Sequence, residues 1–174
     1  GKVKFAMGCP NEEILALARP HVDSSPVDVE TFVGKTNNLM ASADFALVVS
    51  GTATLELAWF YTPMVVLYHV PQYRYKLVAH LFMHTSLYSL PNVLLGRRLV
   101  PEFITYWGPD EPIINEAVAL LTDEERIKTA KQGFKEIRES LDVVGASERA
   151  AEEALGLIGT PVPSPSPWRP GFYV

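Results

Sequence analysis

Cysteine is scarce in this sequence, because Cys9 is the only one among 174 residues. One cysteine excludes a framework of internal disulfides and a cysteine-rich zinc site, and it fits a reducing compartment. Long apolar runs are also missing, since none reaches the roughly 18 residues that suggest a membrane-spanning helix. Basic residues number 15 against 20 acidic ones, for a formal net charge of -5. This balance argues against sequence-independent binding to DNA or RNA, which depends on many Lys and Arg contacts to phosphate.

What is present is the composition of an ordinary globular domain, 48% hydrophobic and 20% charged. The last residues differ, because five prolines fall between Pro161 and Pro170 with serines among them. Such spacing is incompatible with a helix or a central strand and resembles polyproline II. We therefore predict one domain over residues 1–158 and a Pro/Ser-rich tail over residues 159–174.

Strand-like and helix-like segments alternate along the first part of the chain, which is typical of a parallel α/β sheet. Residues 45–49 are continuously apolar, as expected for a strand covered on both faces. In open parallel sheets ligands bind beyond the carboxyl ends of the strands, here after Val49 and Tyr68. A loop-rich stretch is predicted for 88–100. The predicted strands are 3–7, 26–33, 45–49 and 64–68, and the predicted helices are 12–18 with Asn11 as cap, 37–43 with Thr36 as cap, 53–61, 71–83, 109–121, 123–141 and 146–158.

The strongest candidate site is the run Ser50-Gly51-Thr52, directly after the predicted strand 45–49. A strand that ends in small residues and opens a helix directs unpaired backbone N–H groups towards the ligand edge, where phosphate binds. Gly51 allows close approach to the backbone, and Glu56, one helical turn later, offers an acceptor for a ribose diol. The alternative is that Ser50 or Thr52 caps the helix and Glu56 is a solvated acid. Because Gly51 stands alone, neither a Walker loop nor a dinucleotide fingerprint is present.

The second candidate site is the loop that runs from Ser89 to Glu102. Asn92 offers both a hydrogen-bond donor and an acceptor, and Arg97 offers a guanidinium fork for phosphate or carboxylate. Polar loops on a rigid sheet are common binding sites. The alternative is that Asn92 ties its own loop together and that Arg97 pairs with Glu102.

Histidines and aromatic residues give weaker signals. His80 and His84 have the spacing of a zinc pair on a helix, but no carboxylate or cysteine completes the set nearby. Residues 73–83 are aromatic and apolar with basic residues interleaved, which suits a lipid surface, a core or a homodimer contact. The charged stretch 123–139 is interpreted as a solvated helix face that holds ion pairs at helical spacing.

Several blocks of the sequence, in this order and at this spacing, resemble the C-terminal half of the lipid-A-disaccharide synthases. The similarity extends over roughly residues 30–140. The blocks are Met40 to Glu56, Thr62 to Tyr68, Ser89 to Asn92, Gly96-Arg97 and Val100 to Glu102.

The resemblance implies a Rossmann-like, three-layer parallel sheet, the C-terminal domain of a GT-B glycosyltransferase. The family transfers 2,3-diacylglucosamine from its UDP conjugate to 2,3-diacylglucosamine 1-phosphate during lipid A biosynthesis, without a metal or other cofactor. By matching position, the resemblance places Ser50, Gly51 and Thr52 at the donor diphosphate and Glu56 at the ribose hydroxyls.

The same resemblance places Asn92 and Arg97 on the donor side of the catalytic cleft, as candidate catalytic and substrate-binding residues. It further implies that the acceptor domain, the general base and a first βα unit with a Gly-Ser-Arg loop lie outside this chain. The chain alone is therefore expected to be inactive, with the lipid acceptor bound by the other domain. The expected location is cytoplasmic and peripheral to the inner membrane.

Two positions depart from the family pattern. Arg98 stands where the family typically has an acid after the arginine, and His69 stands where it typically has arginine. These departures keep two alternatives open. The first is a non-catalytic GT-B-like module that binds a different ligand or a partner chain, and the second is a GT-B enzyme that uses another UDP-sugar.

Overall fold

Parallel strands alternate with helices in this protein, and the parallel α/β fold predicted from the sequence is confirmed. The structure is a computed structural model that describes residues 3–68, 87–104, 108–141 and 145–157. The described elements are β1 (Phe5–Cys9), α1 (Glu12–Asp23), β2 (Val29–Val33), α2 (Thr36–Ser42), β3 (Ala46–Val49), α3 (Ala53–Trp59), β4 (Met64–Tyr68), α4 (Leu90–Leu95), β5 (Glu102–Ile104), α5 (Glu111–Thr122), α6 (Glu124–Leu141) and α7 (Ala146–Leu157).

The chain divides into two units, residues 1–138 and residues 139–174. The described strands all lie in the first unit, and α7 lies in the second. The predicted helix 71–83 and the predicted tail 159–174 fall outside the described residues.

The described strands form two parallel sheets, where the sequence predicts one open sheet. In the first sheet β1 pairs with β2, from Phe5 opposite Val29 to Cys9 opposite Val33. In the second sheet the order is β3-β4-β5, with β4 in the centre. The short strand β5 was not predicted, because three residues are too few to show a β pattern of their own. Helix α2 packs against β1, β2 and α3, so it bridges the two sheets.

The central strand β4 is covered on both faces, because Met64, Val65 and Val66 are all 0% exposed. Helix α3 packs against β3 and β4, and α5 packs against β4. The prediction that β3 is also covered on both faces is wrong, since Leu47 and Val49 are 58% and 62% exposed. Only the face of β3 that carries Ala46 and Val48 packs against the core, whereas Leu47 and Val49 project from the opposite face.

Local chemistry accounts for most helix boundaries. The side chain of Asn11 accepts a hydrogen bond from the Ile14 N–H at 2.9 Å and so caps α1, as predicted. Thr36 is not the cap of α2: the helix begins at Thr36 and the cap position is Lys35. Residues 90–95, predicted to be loop, form α4, because proline is compatible with the first turn of a helix and Gly96 ends it at φ +63°.

Candidate functional site

The turn that follows β3 lies at the carboxyl edge of the three-stranded sheet. The N–H of Ser50 donates to the carbonyl of Leu67 at 3.1 Å, which extends the pairing of β3 and β4 by one residue. Gly51 then has φ +156°, a conformation that is almost restricted to glycine. A Cβ added at Gly51 would meet no heavy atom within 4 Å. A ligand can therefore approach the backbone of this turn closely.

Three backbone donors of this turn point to no acceptor among the described residues. The carbonyl of Gly51 accepts from both the N–H and the hydroxyl of Thr54, at 3.1 and 2.6 Å. The N–H groups of Gly51, Thr52 and Ala53 make no hydrogen bond to a described residue. The alternative in which Ser50 or Thr52 caps α3 is not observed in the described part of the chain, because the cap residue Thr52 makes no side-chain hydrogen bond to the helix. The start of α3 thus keeps open donors, as the sequence predicts.

Glu56 lies one turn into α3, on its exposed face. The Glu56 N–H donates to the Thr52 carbonyl at 3.2 Å, so Glu56 lies in the first turn of the helix that Thr52 begins. Thr54, Leu57 and Ala58 are buried on the other side of the helix. Glu56 and the Ser50–Thr52 turn therefore lie within one helical turn of each other, and Glu56 is exposed to solvent.

Asn92 has a structural role, because it ties its own loop together as in the alternative prediction for this residue. Its side chain is 0% exposed. The amide nitrogen donates to the Val100 carbonyl at 2.9 Å, and the amide oxygen accepts from the N–H groups of Leu99 and Val100 at 2.7 and 2.9 Å. One asparagine thereby closes the loop between α4 and β5.

Arg97 contacts α6 and does not pair with Glu102. Its guanidinium lies 2.8 Å from the carboxylate of Glu136, with both side chains partly exposed. The alternative pairing with Glu102 is therefore wrong. Arg97 lies in the segment that connects the end of α4 to the start of β5, which is the amino edge of the parallel strands. The Ser50–Thr52 turn lies at the opposite, carboxyl edge, so the structure does not bring Arg97 to that turn.

Glu102 holds the start of α4, a role that the sequence does not predict. Its carboxylate accepts from the Ser89 N–H at 2.8 Å and from the Tyr88 N–H at 3.2 and 3.3 Å. The Ser89 hydroxyl is buried and has no hydrogen-bond partner among the described residues. No local pattern reveals this contact, because Glu102 follows Ser89 by 13 residues and caps a helix from another element.

The other candidate residues contribute nothing to the site in the part of the chain that the structure describes. His69, His80, His84 and the segment 73–83 fall outside the described residues. Cys9 is a buried free cysteine in β1. Within the described ranges, no three His, Cys, Asp or Glu side chains group as metal ligands. None of the described helices is both long enough and apolar enough to cross a bilayer.

Comparison with known proteins agrees with the sequence resemblance. A family model described as lipid-A-disaccharide synthetase matches residues 4–155. The lipid-A-disaccharide synthase of Syntrophus aciditrophicus is 37% identical over 135 residues, which are 78% of this chain and 35% of that protein. The synthase of Anaeromyxobacter dehalogenans is 35% identical over 132 residues, 76% of this chain and 34% of that protein. The synthase of Azotobacter vinelandii is 34% identical over 164 residues, 90% of this chain and 40% of that protein.

The matches cover most of this chain but only part of each relative. The matches include three quarters or more of this chain, whereas the chain spans about a third to two fifths of the length of these relatives. The family match extends from β1 into α7 and includes the open turn after β3. The chain belongs to the lipid-A-disaccharide synthetase family.

Proposed function

We propose that this chain is the donor-binding part of a lipid-A-disaccharide synthase with the GT-B fold. The whole enzyme would transfer 2,3-diacylglucosamine from UDP-2,3-diacylglucosamine to 2,3-diacylglucosamine 1-phosphate. The observation that carries this proposal is the Ser50-Gly51-Thr52 turn, in which Gly51 and Thr52 are exposed, with its open N–H groups at the carboxyl edge of a parallel sheet. Family membership supplies the reaction class.

The geometry suits a diphosphate that becomes a leaving group. N–H groups of Gly51, Thr52 and Ala53 would donate to the diphosphate oxygens, and Gly51 leaves room for them to approach the backbone. Negative charge grows on these oxygens as the bond between UDP and the sugar breaks, so fixed donors stabilise the transition state more than the bound substrate. Glu56 would accept hydrogen bonds from the ribose hydroxyls.

Asn92 and Arg97 enter this proposal as positioning residues. The side-chain amide of Asn92 forms hydrogen bonds with the loop before β5, and Arg97 connects that loop to α6 through its ion pair with Glu136. Since α4 packs against α3, the loop would hold α3, and with it Glu56, in place against the sheet.

The proposal assigns the other half of the reaction to protein outside this chain. The acceptor site and the general base would lie in an N-terminal acceptor domain, so the chain alone would bind the donor without turnover. The whole enzyme would act at the cytoplasmic face of the inner membrane on its lipid substrates, and it would assemble as a homodimer.

The first βα unit implied by the family resemblance would cover the exposed face of β3. Leu47 and Val49 are more than half exposed there, although both side chains are apolar. A protein extended upstream to include that unit should bury them. Leu47→Ser should then lower the free energy of unfolding by about 2 kcal/mol in the extended protein and by about 0.5 kcal/mol or less in the present chain. Equal effects in the two proteins would contradict this part of the proposal.

The donor site is tested by calorimetric titration of the 174-residue chain with UDP, with ADP and UMP as competing ligands. We expect UDP to bind more tightly than UMP, because only UDP carries the diphosphate that the turn would contact, and more tightly than ADP, because the proposed donor is a uridine nucleotide. Glu56→Gln should weaken UDP binding about tenfold through loss of a charged acceptor to the ribose.

A matched control is Glu30→Gln, which removes another exposed acid, from β2 in the other sheet. It should leave the affinity for UDP unchanged. Equal loss in both variants would mean that net charge and not Glu56 sets the affinity. Failure of both the chain and its upstream-extended form to bind UDP would favour the non-catalytic module over the donor domain. Preference of the extended form for UDP-N-acetylglucosamine over the acylated donor would favour an enzyme that uses another UDP-sugar.

A further inference from the structure

A half-exposed tyrosine ends the central strand of the three-stranded sheet. Met64, Val65 and Val66 of β4 are 0% exposed, whereas Tyr68, two residues further on, is 45% exposed. The Tyr68 hydroxyl makes no hydrogen bond within the described part of the chain. Tyr68 therefore leaves the core where β4 ends, with an accessible surface and a hydroxyl that is available for a new hydrogen bond.

Tyr68 lies next to the Ser50–Thr52 turn. Val49 of β3 is opposite Leu67 of β4, and the Ser50 N–H donates to the Leu67 carbonyl at 3.1 Å. The next step of this register places Ser50 beside Tyr68, at the usual spacing of about 4.8 Å between neighbouring strands. A group that is attached to a diphosphate bound at the turn therefore comes within reach of the Tyr68 side chain.

Its position separates Tyr68 from the other half-exposed aromatic residues that the structure describes. Phe5 is 47% exposed but begins β1, so it lies at the amino edge of the other sheet. Trp59 is 38% exposed but ends α3, which runs back towards the start of β4, and the Arg138 guanidinium lies 4.4 Å from its ring centre. Of these three aromatic residues, only Tyr68 lies at the carboxyl edge of a sheet, where ligands bind in parallel α/β folds.

The two ends of a nucleotide sugar would meet different elements at this edge. Glu56, the proposed partner of the ribose, lies one turn into α3 on the exposed face of that helix. Tyr68 lies instead on the neighbouring strand, at the edge of the sheet. With the nucleoside directed along α3, the hexose on the other side of the diphosphate is the group that reaches Tyr68. A tyrosine offers the apolar face of its ring to the C–H groups of a hexose and its hydroxyl to a sugar hydroxyl.

We propose that Tyr68 is a specificity residue of the donor site, where it contacts the hexose ring and distinguishes a UDP-sugar from UDP. This inference rests on the proposed function, because it requires the diphosphate at the Ser50–Thr52 turn. It adds a contact to the sugar, which neither the turn nor Glu56 supplies. Since the hexose is the transferred group, a contact that fixes its ring also orients the carbon atom that the acceptor attacks.

The test compares the affinities for UDP and for UDP-N-acetylglucosamine, which carries a glucosamine ring with a short acyl group. Calorimetric titration is applied to the 174-residue chain and to its upstream-extended form. Tyr68→Ala should weaken binding of the UDP-sugar about tenfold, because the ring contact is lost, and should change binding of UDP by less than about twofold. Tyr68→Phe keeps the ring and should weaken binding of the UDP-sugar by no more than about threefold. The matched control is Phe5→Ala, which removes a ring of similar exposure from the other sheet and should leave both affinities unchanged.

The affinity for UDP also reports whether each variant is folded, so a loss that is confined to the UDP-sugar cannot come from a damaged domain. Tyr68→Leu replaces Tyr68→Ala if the alanine variant loses the wild-type circular dichroism spectrum. Equal weakening for both ligands in a folded variant, or an unchanged affinity for the UDP-sugar, would overturn the inference about Tyr68 and leave the donor-binding proposal standing. Failure of the wild-type chain and of its extended form to bind UDP would overturn both.

Discussion

Residues 3–43 and residues 44–138 share one architecture of parallel strands and helices but differ sharply in burial. The second region has a central strand, β4, whose first three side chains are fully buried, together with the buried Phe134 and Ile137 of α6. In the first region only Cys9, Leu15 and Met40 are buried among apolar side chains, and Phe5 of β1 is 47% exposed. The same local pattern therefore yields a well-packed core in one region and a thin one in the other.

The difference shows that the neighbours of a strand, and not its composition alone, determine how much of it is buried. A two-stranded sheet consists of two edges, so each strand has a neighbour on one side only. A three-stranded sheet has one strand with neighbours on both sides and helices on both faces, and that strand organises the core. We therefore expect substitutions of the same chemical kind to cost more in the second region than in the first.

The largest contrast should come from two phenylalanines. Phe134→Ala removes a fully buried ring from the centre of the core, and we expect a loss of about 3–5 kcal/mol in the free energy of unfolding. Phe5→Ala removes a half-exposed ring from β1 and should cost about 1 kcal/mol. Urea unfolding of both variants measures the difference. Similar losses would mean that the two regions are equally well packed in solution.

Two asparagines sharpen the comparison for polar contacts. Asn92→Ala removes three hydrogen bonds and leaves the buried N–H of Val100 without a partner, so it should cost about 2–3 kcal/mol. Asn38→Ala, on the exposed surface of α2, should change stability by less than about 0.5 kcal/mol. A variant Asn92→Ala that stays fully stable yet loses affinity for UDP would instead assign Asn92 to the donor site.

Two glycines compare how closely the regions are packed. A Cβ at Gly133 of α6 would overlap Cδ1 of Leu99 and lie 2.7 Å from its Cδ2 and 2.9 Å from its Cγ. Gly133→Ala should therefore cost about 1–2 kcal/mol despite the better helix propensity of alanine. A Cβ at Gly8 of β1 would lie 3.3 Å from Cδ2 of Leu39, which can shift, so Gly8→Ala should change stability by about 0.5 kcal/mol or less. Thermal unfolding of both variants tests this order.

The sequence predicts those parts of the fold whose signals are local. β3 and β4 are continuous apolar runs, and Asn11 precedes two glutamates as a helix cap should. The open turn at Ser50–Thr52 is likewise a local event, in which a strand ends in small residues and a helix begins. Each of these features depends on residues within one or two turns of chain, so pattern and propensity suffice.

Long-range pairing accounts for what the sequence does not predict. The strand β5 exists because its three residues align with Val66 to Tyr68 of β4. Arg97 pairs with Glu136 across 39 residues, and Glu102 caps a helix that starts 12 residues before it. The exposure of Leu47 was also unpredictable, since an apolar run looks the same in a strand covered on one face and in a strand covered on both.

The smallest predicted effect concerns the contact between the two regions. The buried hydroxyl of Thr62 donates to the carbonyl of Met40 at 2.7 Å, which ties the end of α2 to the start of β4. Thr62→Val keeps the shape of the side chain and removes this bond, so it should lower the free energy of unfolding by about 1 kcal/mol. The control Thr122→Val removes an exposed hydroxyl bond within α5 and should lower it by less than about 0.5 kcal/mol. Hydrogen exchange should then accelerate in α2 and β1 more than in β4, because only the thin core of the first region depends on the contact. Uniform acceleration in all three elements would show that the two regions unfold together as one cooperative unit, despite their difference in burial.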